Sequence, residues 1–317
     1  MMTRPFVLFS VWKTIERAAH NHQIDIIHFT VEPYALVVSL LSKRLKKISV
    51  LTIHGNYGIR PLRWWASKWL ARRMLQCLPK CIAVSTYTRD AVAKEVRNDK
   101  ALHDAFIEKT QIISNGIPIR SVKEIRGDNP VHQILFVGGV KGSKGVMEAV
   151  RGCALYKEIY NAPFHFTIAG SAKGHSSYGE ALQALIAQLN MQNDVSFPGR
   201  VSDQTLNDLY ANADVFLMPS LTSEDTFEGF GLVYIEANAW GVPVIGPNSS
   251  GAAEAIADAE SGYTVDPADA QGIAERLHWI LDKKKISSEH CMAWAKRHDI
   301  QHMAEEIYKV YSLISSR

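Results

Sequence analysis

No glycine precedes Gly55, although the chain holds 20. A glycine-rich turn of the kind that cradles phosphate is therefore excluded from the opening segment. Cysteine is scarce as well. Cys77, Cys81, Cys153 and Cys291 show neither the Cys-x-x-Cys spacing of a redox or zinc site nor a disulfide framework, and they read as incidental thiols of a protein in a reducing cytoplasm. No run of about 18 apolar residues occurs, and Phe6 to Trp12 is too short for a spanning helix or a signal segment. A net charge of +3 with a pI near 8.5 is too mild a bias to argue for nucleic acid; it supports no more than a weakly basic face toward an anionic ligand or a membrane. Internal repeats and low-complexity segments are also missing.

What is present is a regular alternation of strand and helix patterns over 317 residues, 47% of them hydrophobic. It predicts an α/β protein of two Rossmann-like domains. In the first, 25–29 and 48–53 read as strands, 33–47 as a helix, and 80–85 as a third strand whose Ser85 caps a helix through Lys94. A short strand over 111–117 runs into the turn-forming pair Asn115-Gly116. Residues 119–130, rich in charge, glycine and proline, read as a linker. Strands 132–140, 164–170 and 195–199 then alternate with helices near 144–160, 178–190 and 202–213, and beyond Pro267 the chain reads as helical.

The most informative stretch begins at Val215. Val215 to Ser220 reads as a short buried strand, a glycine-flanked turn follows, and Gly231 to Trp240 carries helical apolar spacing up to Gly241. Glu228 stands just before this helix and Glu236 within it. Eight residues of helix would span ~12 Å, which would suit one carboxylate on the hydroxyls of a transferred sugar and the other on a nucleoside ribose. The backbone N–H groups of Gly229, Phe230, Gly231 and Leu232 would face a diphosphate. Spacing alone is better met by a solvated cap and a surface charge.

The whole string changes that balance. Glu228-Gly-Phe-Gly-Leu-Val-Tyr-Ile-Glu236-Ala, followed by Gly241-Val-Pro-Val-Ile245 and Ser250-Gly-Ala-Ala-Glu254, resembles the donor-site signature of the family 4 retaining glycosyltransferases, with its Glu-x7-Glu element. The resemblance implies a GT-B fold, two Rossmann-like domains (1–117 and 130–290) facing each other across a cleft, with a closing helical segment (291–317) that returns to the first. It implies transfer of a sugar from a UDP- or GDP-linked donor to a glycan or lipid-linked acceptor, without a metal or other cofactor. Glu228 would hold the sugar and Glu236 the ribose.

Leu135 to Gly145 resembles the family's phosphate-binding segment. Lys144 matches its lysine, whereas Gly139 stands where the family has arginine; Lys141 could replace the charge of that arginine but not its fork. Val195 to Asp203 resembles the segment lying against the nucleobase, with Val201 as the base contact. His54-Gly55 matches a first-domain element facing the cleft, so His54 joins Glu228 as a catalytic candidate. The likeness covers roughly residue 25 to the end and is strongest over 134–267. The family's opening strand and glycine-rich loop have no counterpart before Gly55, so the first domain reads as shortened and Met1-Met2 as an internal start. An alternative reading follows: a nucleotide-sugar-binding but non-catalytic partner or regulator, or a truncated, inactive transferase.

Arg60 to Leu75 reads as a basic, tryptophan-rich helix. Leu62, Trp65, Trp69 and Arg72 or Arg73 follow i, i+3, i+4 spacing, which predicts that two indoles pack onto the sheet. A peripheral contact with the inner face of a membrane stays open as the other use of such a segment. His298 and His302 have metal-compatible spacing but no glutamate between them, and read as surface or packing residues.

Overall fold

The structure, a computed structural model, describes residues 5–119, 131–171 and 176–315. The expected linker lies outside them except for Ile119, as do Met1 and Met2. The chain divides into two compact units: one holds residues up to Asn115 and resumes at Gln301, and the other runs Gly116–Ile300.

The first unit opens with α1 (Pro5–Asn21), followed by β1 (Ile27–Phe29), α2 (Glu32–Ala35), α3 (Lys43–Lys47), β2 (Ser49–Ile53), α4 (Asn56–Arg63), α5 (Trp65–Cys77), β3 (Lys80–Ala83), α6 (Thr86–Val96), α7 (Lys100–Lys109) and β4 (Thr110–Ile112). Its strands pair in chain order, all parallel. Right-handed crossovers in a sheet that grows in one direction leave every connecting helix on the same face, so the other face needs a cover from elsewhere. The closing helix, Ile300–Ser315, supplies it: Val310 and Ile314 share a buried cluster with Val50, Ile82 and Ile113. Each such side chain contributes about 1.5–3 kcal/mol on burial. Beside this cluster the His28 ring lies between the Tyr311 hydroxyl, 2.6 Å from Nδ1, and the Thr52 hydroxyl, 2.7 Å from Nε2.

Two expectations for this unit are corrected. The helix expected over 33–47 is broken, because Leu41 is extended (φ −64°, ψ 159°) and the Ser42 hydroxyl accepts from the Leu45 N–H to start α3 afresh. The tryptophan-rich helix is split at Trp64, and its indoles do not pack: Trp65 is 84% and Trp69 67% exposed. The buried face of α5 is instead Ala71, Met74 and Leu75. A stripe of indoles ending in Arg72 and Arg73 would carry unpaired cations into the core, whereas the aliphatic stripe half a turn away is free of charge.

The second unit contains β5 (His132–Val137), α8 (Val146–Tyr160), β6 (Phe164–Ala169), α9 (Ser176–Gln188), β7 (Val195–Gly199), α10 (Asp203–Asn212), β8 (Val215–Leu217), α11 (Leu232–Ala239), β9 (Val244–Pro247), β10 (Gly262–Val265), α12 (Ala270–Leu281) and α13 (Ser288–Lys296). Its parallel sheet has the order β10-β9-β8-β5-β6-β7, the doubly wound order of a dinucleotide-binding sheet. Val215, Phe216 and Leu217 are all buried, as befits a central strand covered on both faces. The strands β9 and β10 are too short, and too rich in glycine and proline, to show a period. Helices α8 and α12 touch where Gly152 has no side chain, since a Cβ there would lie 2.3 Å from Ile273 Cγ2. The closing segment expected over 291–317 is divided: α13 packs against α11 in the second unit, and only the residues from Gln301 belong to the first.

Candidate functional site

The strand order of the second unit reverses between β5 and β8, and open α/β sheets bind ligands outside the carboxyl ends of their strands at such a point. The loop leaving β5 holds Gly138 to Gly145, and the loop leaving β8 holds Met218 to Gly231. They are locked together by backbone. Gly145 adopts φ +71°, and a Cβ on it would lie 1.8 Å from the Pro219 carbonyl oxygen; the Leu221 N–H donates to the Ser143 carbonyl at 3.1 Å. This contact brings together two residues that the sequence separates by 84 positions: the Lys144 ammonium pairs with Glu228 Oε2. Both side chains are about one-fifth exposed. Beneath them Tyr234 donates to the Met218 carbonyl at 2.5 Å, and its phenol is pushed well above the usual range by burial first and by the Glu228 charge second.

Helix α11 begins at Leu232, one residue past the expected Gly231, and Gly229 and Phe230 lie in a bend before it. Only the span from 232 to Glu236 is helical, so the rise of eight helical residues does not set the distance from Glu228 to Glu236. Gly231 takes φ +85° and has the Tyr234 ring 2.6 Å from where its Cβ would be. Among the described residues no side chain caps this helix, so the amides at its start are set for an anion. Phe230 is buried beside His298, ring centroids 5.6 Å apart, and offers a ligand only its backbone.

Glu236 points elsewhere, into a cavity of about 250 Å³ shared with Asp203, Asn207, Tyr210 and Trp240. The Tyr210 hydroxyl donates to its Oε2 at 3.1 Å. Burial raises the Glu236 pKa above the usual carboxylate range, and the bond from Tyr210 opposes that shift. Tyr210, Asp203 and Asn207 were not singled out from the sequence. Ser202, which caps α10 by accepting from the Thr205 N–H, sets the phase of that helix, but which face meets α11 depends on strand order. Val201 is half-buried in the turn before α10, two residues from the cavity wall at Asp203. Beside Gly139 there is open space: a Cβ would have only Lys141 Cε, at 4.0 Å, within reach.

His54 belongs to the first unit. It follows β2 directly with an exposed side chain, and its backbone N–H donates to Oε1 of Glu32, a buried carboxylate, at 2.8 Å. His298 packs between Phe230 and Trp294. Among the described residues no group of three His, Cys, Asp or Glu side chains is placed to hold a metal ion.

The sequence matches the family described as glycosyl transferases group 1 over residues 119–300. The chain belongs to that family. The preceding part of this group 1 chain, residues 2–120, matches the family described as glycosyltransferase family 4. It is 30% identical over 181 residues to D-inositol 3-phosphate glycosyltransferase of Corynebacterium urealyticum, covering 56% of this chain and 42% of that protein. Over 219 residues it is 31% identical to an uncharacterized glycosyltransferase of Methanocaldococcus jannaschii, covering 65% of this chain and 51% of that one. The chain thus spans about half the length of these relatives. Among solved structures, the Anabaena protein HepE in complex with UDP and glucose superposes with a TM-score of 0.74 at 20% identity, covering 96% of this chain and 81% of that one. That likeness concerns the fold, which for this group 1 chain is the two-domain, Rossmann-like GT-B type.

Proposed function

We propose that this protein transfers a sugar, with retention of configuration, from a UDP- or GDP-linked donor to a glycan or lipid-linked acceptor. The reading rests on the Lys144–Glu228 pair at the strand-order switch. In it the bond from the anomeric carbon to the diphosphate breaks as the acceptor oxygen takes its place. Lys144 and the amides that open α11 face the charge developing on the leaving diphosphate, so no metal ion is required. Glu228 holds the sugar hydroxyls, Glu236 the ribose, and Val201 lies against the base. His54 is the first unit's catalytic candidate. HepE, solved with UDP and glucose, and the relatives named as glycosyltransferases support the donor class. The place of action in this reading is the cytoplasm, next to the membrane where the acceptor is lipid-linked.

One observation favours a second reading. Gly139 replaces the arginine of the resembling signature and leaves its space open, as a nucleotide-sugar-binding partner without turnover could tolerate. Calorimetric titration with UDP, GDP and their sugar conjugates, without metal, tests the donor site. Saturable binding of one nucleotide, weakened roughly tenfold or more in Glu236→Ala, is expected. Failure of every nucleotide to bind would sink both readings, and binding without turnover toward any acceptor or water would leave the second.

A further inference from the structure

The mild net charge of +3 conceals a strong asymmetry. From Pro33 to Arg89 the chain has no aspartate or glutamate, yet it carries Lys43, Arg44, Lys46, Lys47, Arg60, Arg63, Lys68, Arg72, Arg73, Lys80 and Arg89. Within this segment lie the exposed indoles of α5. Trp65 and Trp69 are on its outward face, and the Arg73 guanidinium stands 5.6 Å over the Trp69 ring. Arg63 and Arg72 are held by Glu95 and Asp99, while Arg60, Lys68 and Arg73 are exposed. Helix α1 adds a similar stripe: Phe6 is 85% and Phe9 53% exposed, and the Lys13 ammonium lies 5.0 Å over the Phe9 ring. Between α1 and the α4–α5 corner opens a cavity of about 460 Å³ with walls that include Phe9, Trp12, Leu36, Leu40, Tyr57 and Trp64.

Exposed aromatics gathered around an apolar cavity and fringed by cations are costly in water and suited to a bilayer interface. No helix among the described residues is long and apolar enough to cross a membrane. We propose that this face of the first unit docks on a surface of anionic lipid. Trp65, Trp69 and Phe6 enter the boundary between headgroups and acyl chains, Arg60, Lys68 and Arg73 meet the headgroups, and the cavity receives an acyl chain. Charge selects this occupant, since the exposed Arg60, Lys68 and Arg73 of one copy repel those of a second copy of the same surface. The proposal deepens the transferase reading, because it brings the protein to where a lipid-linked acceptor resides, but it does not depend on donor binding.

The test is co-sedimentation of the full chain with vesicles of phosphatidylcholine alone and of equimolar phosphatidylcholine and phosphatidylglycerol, with tryptophan emission recorded alongside. Binding to the mixed vesicles, at least tenfold weaker to phosphatidylcholine alone, and a blue shift of emission are expected. Each of Arg60→Gln, Lys68→Gln and Arg73→Gln should weaken binding about fivefold, and the double variant Trp65→Ser/Trp69→Ser about tenfold or more. Circular dichroism and nucleotide titration of the same variants should match the parent, which separates loss of the face from loss of the fold. Absence of vesicle binding by the folded parent, binding indifferent to lipid charge, or a dimer that dissociates when the two indoles are removed would each overturn the proposal. Loss of nucleotide binding with lipid binding intact would instead count against the transferase reading.

Discussion

Glu236 is a carboxylate in a confined cavity with the Tyr210 hydroxyl on one oxygen. Burial, the larger influence, raises its pKa, so the folded chain holds that proton more tightly than the unfolded chain does. Stability is therefore lost as pH rises through the raised value, and at neutral pH the charged carboxylate is a cost to folding. Glu236→Gln removes the charge and keeps an acceptor for Tyr210. The expected outcome is a thermal midpoint at pH 7.5 equal to or above that of the parent, with nucleotide affinity lowered roughly tenfold or more, because hydrogen bonds to charged groups are worth about 1.5–3 kcal/mol. Calorimetry and thermal unfolding check both; a fall in stability with unchanged affinity would make Glu236 a structural residue only. Residues of this kind were legible to different degrees. Glu228, Lys144 and Glu236 stand in strings whose order along the chain is itself the signal. Tyr210 and Asn207 carry no such string, and they reach the cavity only because α10 and α11 are set side by side by the sheet.

At the scale of elements, the loop between β5 and α8 is held by one glycine. Gly145 combines a left-handed backbone with contact against the Pro219 carbonyl, so Gly145→Ala incurs about 1–2 kcal/mol from the backbone alone, before any displacement of Pro219. Because this loop carries Lys144, urea unfolding should show the second unit destabilised, and titration should show weaker nucleotide binding; unchanged affinity would dissociate the loop from the donor site. Element positions were largely readable where local chemistry decides them, as with Ser85 and Ser202, which cap α6 and α10. They were misread where two signals compete. The segment 33–47 has helical periodicity throughout, but the Ser42 cap and extended Leu41 interrupt it. In α5 the indole stripe and the aliphatic stripe are both periodic, and only contact with a neighbouring element chooses between them.

At the scale of the whole molecule, the chain's last helix covers the first unit's sheet next to the half-buried His28. Burial lowers the His28 pKa, with the His54 charge a lesser cause. Below about 6.5, where an unfolded histidine titrates, the unfolded chain binds the extra proton and the folded one resists it, so stability falls as pH drops through that window. Calorimetric unfolding between pH 7.5 and 5.5 should show the loss, and His28→Gln should show a smaller one; His298, also lowered by burial, adds the same sign in the second unit. A pH dependence unaltered in His28→Gln would remove His28 as its source. The sequence by itself determined the α/β class, the alternation of elements and the string of donor-site residues, because periodicity, caps and local motifs are properties of neighbouring positions. Tertiary structure alone decided the pairing of Lys144 with Glu228, the partner of Glu236 and the outward indoles of α5. Each of those depends on which surfaces are buried together, and that is set by strand order and packing between segments far apart in the chain.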